Sequence, residues 1–442
     1  MNGSRQLVLV TLVLVVLANA GAGGCASDRL GGAVSLLGPW TGAEEDQFRQ
    51  ALRVFSARTG TQVDYQGTRA LGQVLLNDVQ QGTPHDVAVL PSPGELARYA
   101  AEHAVLPLDD VVGPEWESEY SPQWRKLARA GQDGLYAVPI QVNLKSIVWF
   151  NPRRLPGDRP ATWADLTALT GAVVARGDTP WCMGMGASAT SGWPGTDWIE
   201  DILLRQAGTE VYQRWVAGTL PWTDARVRRA WQTWGEITGG PGQVRGGAES
   251  ALLTDFADAA RAMFTDPPGC FLEHQGSFIA GAYRGYPGGP RAGTDFDFFP
   301  LPRLGPVAAG ASQSWEVSAD MAGMFRDTPQ ARALVRFLAS ADGQRIWPGV
   351  GAFSANTRVG RQAYGDEVSR RVIDELTGSD TLCFDASDLM PATLRNAFYR
   401  AVLTYLSDQS RLDELLGELD QIRRELADRP GDEPWLTVSC AP

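Results

Sequence analysis

The sequence predicts an α/β protein of two lobes with a helical C-terminal block. Three observations carry this. A chain of 442 residues with 44% hydrophobic side chains is long enough to bury one large or two ordinary cores, so two lobes are expected. From Ala33 onward, short apolar runs alternate with segments of helical period. The chain then ends in two long amphipathic patterns, MPATLRNAFYRAVLTYLSD and RLDELLGELDQIRREL, which read as paired helices.

Taken in order, AVSLLG is a short apolar run of strand type. EEDQFRQALRVFSARTG places Phe48, Leu52 and Phe55 on one helical face, with acids in its first turn and Gly60 at its end, as a helix requires. TQVDYQG, a helix through Leu71, Val74, Leu75 and Val79, the run DVAVL and the helix ELARYAAEHAV follow. This βαβαβα order makes a parallel sheet covered by helices the economical arrangement. Ligands of such sheets bind beyond the carboxyl ends of the strands, here GPWTG, QGTRA and PSPGE.

A second block begins after YAVPIQVNLKSIVWFNP. Its first helix starts at PATWADL, where Thr162 and Asp165 have the spacing of a capping box, each side chain positioned to bond the other's backbone N–H. A tryptophan-rich helical region follows (Trp193, Trp198, Trp215, Trp222, Trp231, Trp234), then YRGYPGGPRAGTDFDFFPLP, whose Pro and Gly content breaks helix and marks a surface connection or a crossing between lobes. EVSADMAGMF reads as a strand, QARALVRFLAS as a helix and GVGAFSANT as a turn.

The N-terminus carries the compartment signal. Arg5, the apolar run Leu7 to Ala18 and the small residues of AGAGGCAS have the order of an export signal, too short for a comfortable membrane span. Cys25 at its end resembles a bacterial lipoprotein processing site, which implies residues 1–24 as signal peptide and lipidation of Cys25; plain signal cleavage is the alternative. The other cysteines, Cys182, Cys270, Cys383 and Cys440, suit two disulfides in an exported protein. They allow three pairings, of which Cys182 with Cys270 and Cys383 with Cys440 is preferred. They lack the close pairs that zinc sites use.

Several chemistries are excluded or unsupported. Net charge is −12, and only Lys126 and Lys145 among the 39 basic residues are lysines; without a basic stripe, nucleic acid is not an expected partner. Neither lysine follows glycine, which rules out a P-loop. GxGxxG, GxSxG and HExxH motifs are absent, and the histidines are His85, His103 and His274 alone. No enzyme, cofactor or metal is therefore expected, although a two-carboxylate glycosidase has no fixed local spacing to test.

ELARYAAEHAVLPLDD, LYAVPIQVNLKSIVWFNP followed by TWADL, and DTPQARALVRFLASADGQRIW followed by GAFSANT resemble, in order and spacing, the extracellular solute-binding proteins of carbohydrate ABC importers. PWCMGMGASATSGWPGTDWIEDILLRQAG, MFTDPPGCFLEHQGSFI and FDASDLMP are similar to the α-glucoside-binding subgroup. SQSWEVSAD stands where that subgroup's glycine-rich segment is expected. The resemblance implies a two-lobed, periplasmic-binding-protein-like fold, each lobe a mainly parallel sheet flanked by helices. The N-terminal lobe would take residues 33–147 plus 306–355 and the C-terminal lobe 148–305 plus 356–442. It further implies a carbohydrate in the interlobe cleft, a membrane permease as partner, and a monomer lipid-anchored to the outer face of the cytoplasmic membrane. A surface sensor or adhesin without transport is the other binding-protein class.

A pyranose offers a C–H face to indole and a rim of hydroxyls to carboxylates and amides. The candidate contacts are accordingly Trp40, Thr41, Thr68, Ser92, Gln141, Asn143, Trp193, Asp197, Glu273, Gln275, Trp315, Glu316 and Asp320. Asp197 also suits a helix N-cap, and Trp315 and Glu316 equally suit hinge packing. Trp193, between Gly192 and Pro194, is expected as a free platform held by a stiff turn. Trp198, leading an apolar face, is expected in the core.

Overall fold

The computed structural model describes residues 30–441 apart from 156, 305–313, 380, 430–432 and 438–439. Cys25 and the signal segment lie outside the described residues.

The first block folds as read. Strands β1 (Ala33–Gly38), β2 (Gln62–Gly67) and β3 (Val87–Leu90) are parallel, with β1 in the middle. Helices α1 (Ala43–Thr59), α2 (Leu71–Gln80) and α3 (Pro93–Ala101) connect and cover them. In α1, Phe48, Leu52 and Phe55 are buried and Gly60 closes the helix at φ 75°, a conformation that costs glycine nothing.

Strand β4 (Val138–Leu144) runs through Lys145 and Ser146 into β5 (Ile147–Phe150), so the chain passes here from one sheet to another. The second, smaller sheet has β5 in the centre, flanked by β6 (Leu272–His274) and β7 (Asp297–Pro300). Strand β8 (Ser314–Met324) returns to the large sheet, antiparallel to both β3 and β4. Its first residues pair in parallel with β9 (Thr381–Phe384), which pairs with β10 (Cys440–Ala441).

The two-lobed α/β class stands, but the mainly parallel expectation holds for the first block and the β8–β9 pair and fails in the small sheet. Both pairings in the small sheet are antiparallel. Its strands are three or four residues long, and β5 and β6 are buried throughout, so they carry no alternation from which direction can be read.

Helix α4 (Trp163–Ala175) starts at the expected capping box. Helices α5 (Trp193–Val216), α6 (Ala225–Thr238), α7 (Pro329–Ala339), α8 (Ala392–Ser407) and α9 (Leu412–Ala427) complete the longer elements. Among the described residues no helix is long and apolar enough to cross a membrane. Both preferred disulfides are present, with Cα–Cα distances of 5.3 Å for Cys182–Cys270 and 4.0 Å for Cys383–Cys440. The second ties β10 to β9.

Candidate ligand-binding cleft

A cavity of about 170 Å³, open to solvent, draws residues from all three carboxyl ends of β1, β2 and β3: Trp40, Arg69 and Pro91. Glu44 and Glu95 join them from the first turns of α1 and α3. The floor comes from the strands: Gln141, Asn143 and Lys145 on and after β4, Ser318 and Asp320 on β8. The opposite wall is formed by Trp193 and Asp197 of α5, Phe256, Phe278, Asp385, Asp388, and Arg395 and Tyr399 of α8.

Two aromatic surfaces frame the space. Trp40 packs on Phe48 at 4.6 Å between ring centroids. Trp193 is half-buried, edge-on to Phe256 at 4.9 Å and to Phe278 at 5.8 Å. Arg69 spans the two sides: it pairs with Glu44, and its guanidinium lies 5.3 Å from the centre of the Phe256 ring.

Electrostatics at the floor are dominated by one lysine. Lys145 Nζ lies 3.0 Å from Asp197 Oδ2 and pairs with Asp385, and the Trp193 ring centre is 5.6 Å from it. Burial alone would discharge this ammonium, but the attraction of Asp197, Asp385, Asp388 and Glu316 outweighs it and holds the pKa well above the ordinary lysine range. Lys145 in turn keeps Asp385 low against its own burial. Asp197 is still pushed up to about 7, burial being the largest cause. Asp385 Oδ1 also accepts from Ser387 Oγ at 2.9 Å and from the Asp388 N–H at 3.0 Å, while Glu200 accepts from the N–H groups of Ala386 and Ser387. Asp320, facing the cavity, is raised to about 7 by burial and then by the charge of Glu44.

Of the sequence-derived candidates, Trp40, Gln141, Asn143, Trp193, Asp197 and Asp320 line the cavity together. The others stand outside its lining. Thr41 is half-buried beside Trp40. Thr68 shapes the turn after β2, its N–H donating to Gly38 O and its hydroxyl accepting from the Ala70 N–H. The Ser92 hydroxyl is fully used: it caps α3 by accepting from the Glu95 N–H and donates to Asp388 O at 2.6 Å. Glu273 and Gln275 belong to the buried small-sheet region, not to a solvated loop. Glu273 accepts from the Tyr283 hydroxyl, and the Gln275 carbonyl accepts from Trp149 Nε1 at 2.9 Å. Trp315 is buried under the Arg205 guanidinium, 5.5 Å away, and Glu316 is buried behind the floor.

Two local expectations are corrected. Trp193 is the first residue of α5, not part of a turn outside it; Pro194 is tolerated because helix N-termini have no intrahelical acceptor for its missing N–H. Gly192 provides the cap at φ 107°, and a Cβ there would meet Tyr399 O at 2.4 Å, so this entry requires glycine. Asp197 consequently lies inside the helix and caps nothing. Trp198 is 2% exposed, between Trp181 and His274.

Lys145, Glu44, Arg69, Glu95, Asp385, Asp388 and Arg395 were not singled out from the sequence. Lys145 did carry a signal: a solitary lysine between the apolar runs of β4 and β5 demands a buried counter-charge. The motif FDASDLMP contained Asp385 and Asp388, but nothing local distinguishes them from helix-capping acids.

Concave, aromatic-framed and acid-rimmed, the cleft defines a binding protein of the two-lobed α/β class. Residues 41–345 match the family model for bacterial extracellular solute-binding proteins, and the chain belongs to that family. It is 34% identical over 410 residues to the osmoprotective compounds-binding protein GgtB of Synechocystis, covering 91% of this chain and 95% of that protein. It is 33% identical over 407 residues to the α-glucosides-binding periplasmic protein AglE of Rhizobium meliloti, covering 88% and 87%. Among solved structures, the bacterial solute receptor AcbH superposes with a TM-score of 0.76 at 18% identity, covering 90% of this chain and 99% of that one. The family and these relatives are binding proteins.

Proposed function

We propose that this chain captures a neutral α-glucoside or short oligosaccharide in the cleft and delivers it to the membrane subunits of an ABC importer. The observation that carries this is the pairing of Trp40 and Trp193 with Glu44, Gln141, Asn143 and Asp320 around one cavity. Trp193, half-buried at the cavity wall, offers indole surface to the C–H groups of a pyranose, and carboxylates and amides suit its hydroxyls. The names of the two relatives similar over most of their length, one binding α-glucosides and the other osmoprotective compounds, support the substrate class.

In this reading β4 and β8 are the hinge crossings. Lys145 N–H donates to Glu316 O at 2.8 Å, and Ser146 Oγ accepts from the Glu316 N–H at 2.8 Å while donating to Asp201 at 2.7 Å, which ties the crossings to α5. Closure on the sugar would bring the Trp40 and Trp193 sides together. Lipidation of Cys25 would hold the protein at the outer face of the membrane beside the permease.

Thermal-shift screening against mono-, di- and trisaccharides tests the ligand class, since a ligand at 100 times its dissociation constant stabilises the native state by about 2.7 kcal/mol. An α-linked disaccharide or α-glucoside is expected to raise the melting temperature and to be recovered chemically unchanged. Release of hydrolysis products would contradict a binding role; the absence of any saccharide response would contradict the ligand class.

A further inference from the structure

Trp193, Asp197 and Asp201 follow one another along α5 at four-residue steps, the spacing that places helical side chains on one face, a turn apart. The two acids are held by consecutive residues of the crossing between β4 and β5. Lys145 Nζ lies 3.0 Å from Asp197 Oδ2 and also pairs with Asp385 after β9; it is the ion-pair partner of Asp197 among the described residues. Ser146 Oγ donates to Asp201 Oδ1 at 2.7 Å, and Asp201 is further fixed by Arg205 Nε at 3.1 Å and by His274 Nε2 at 3.0 Å. On the main chain, the Lys145 N–H donates to Glu316 O and the Glu316 N–H to Ser146 Oγ, both at 2.8 Å. The grip on α5 therefore comes from the point where β4 and β8 are joined.

We infer that Lys145 is a positioning residue for ligand recognition: by holding Asp197 it fixes the first turn of α5, and with it the Trp193 ring, against the cleft floor. For its ligand this rests on the sugar-binding reading above. Trp193 opens its helix, where no preceding turn supports it, so a tether one turn further on decides where the ring stands. An ammonium suits that tether because it is a compact head with three donors; here it joins Asp197 to Asp385 with the Trp193 ring centre 5.6 Å away. Without it, Asp197 would share a buried space with Asp385, Asp388 and Glu316 and no counter-charge among them. Like charges shut away from water move apart or take up protons, and either response releases the helix start. Asp201 secures the next turn through its own partners, so loss of the lysine contact should loosen the first turn of α5 and leave the later turns in place.

The test uses the full mature protein and a saccharide that stabilises it. Asp197→Asn keeps the side-chain volume and leaves Lys145 paired with Asp385; Lys145→Met is the second variant, each admitted on a cooperative melt. Hydrogen exchange read by mass spectrometry without ligand should quicken at the start of α5 in either variant and stay unchanged in its later turns. Sugar affinity should fall roughly fivefold in Asp197→Asn, the difference between a charged and a neutral hydrogen bond, and roughly tenfold or more in Lys145→Met. In a Trp193→Ala background the same substitutions should change affinity by less than about twofold, because a residue that acts through the ring has nothing left to act on. Losses of equal size in both backgrounds would mean that Lys145 and Asp197 meet the sugar directly and would overturn the positioning role, as would unchanged exchange at the start of α5. A wild type that binds no saccharide counts against the sugar reading, whereas the exchange measurement needs no ligand, so the two proposals fail separately.

Discussion

Two groups of tryptophans divide the molecule. In the helical block, Trp215, Trp222, Trp231 and Trp234 are at most 1% exposed and surround Phe398 and Tyr405: Trp222 to Phe398 is 4.8 Å and Trp231 to Tyr405 is 5.3 Å. Their indole N–H groups have no protein hydrogen-bond partner among the described residues, a cost that the close aromatic packing has to offset. At the cleft, Trp193 rests edge-on against two phenylalanines and lines the cavity beside Lys145. The residue type is the same in both places. What differs is that the first group is enclosed by protein whereas Trp193 is half-buried at a cavity wall, and that decides whether an indole contributes to folding or to recognition.

The largest effect should come from the fully buried group. Trp222→Ala is expected to cost about 3–5 kcal/mol of folding stability while the surviving folded protein binds sugar with wild-type affinity. Denaturant unfolding and calorimetric titration read the two quantities separately, and a matching loss of affinity would erase the division between the regions. Removing Cys383–Cys440 acts on the same side. Opening a loop whose ends are 57 residues apart should cost about 4 kcal/mol in the chain-entropy model, again with little change in affinity. Stability unchanged in the Cys383→Ser, Cys440→Ser double variant would show that this cross-link does not stabilise the block.

Much of this division was legible in the sequence, though not at the level of single contacts. The alternation from Ala33 and the period of α1 located the first sheet, and strand ends located one rim of the cleft, because those signals are local. Trp198 was legible as core from its place on an apolar helical face. The floor was not: Lys145 and Asp385 are 240 positions apart, and pairing of charges across such a distance is fixed only when the strands pack. Glu273 illustrates the converse error. It stood among the expected sugar contacts, yet it forms a ladder pair with Trp149 in a fully buried strand.

The misplaced Glu273 and the cleft residue Asp320 offer a smaller, pH-dependent contrast. Burial raises Glu273 to about 8 against the opposing hydrogen bond from Tyr283. Its carboxyl is therefore protonated in the folded state where the unfolded chain is ionised, and stability should fall as pH rises from the ordinary glutamate range near 4.5 toward 8. Glu273→Gln should flatten that slope in thermal melts without changing sugar affinity; an unaltered slope would discount the buried carboxyl. Asp320, raised to about 7, should instead move affinity. Its ionised form accepts sugar hydroxyls, so binding should strengthen as pH rises through 7 and lose that dependence in Asp320→Asn. The expected difference above pH 7 is about 1.5–3 kcal/mol, the scale of a hydrogen bond to a charged group. Identical pH profiles for the variant and the wild type would remove Asp320 from the binding site.

The division itself rests most directly on sugar affinity measured by calorimetric titration for the wild type and Trp193→Ala, using a saccharide that stabilises the wild type, alongside the melting temperature of each. Truncating the ring should weaken binding by about 1.5–3 kcal/mol, the scale of a fully buried aromatic side chain, with a smaller loss of stability than Trp222→Ala shows. Unchanged affinity, or a loss of stability as large as that of Trp222→Ala, would contradict the assignment of Trp193 to the ligand.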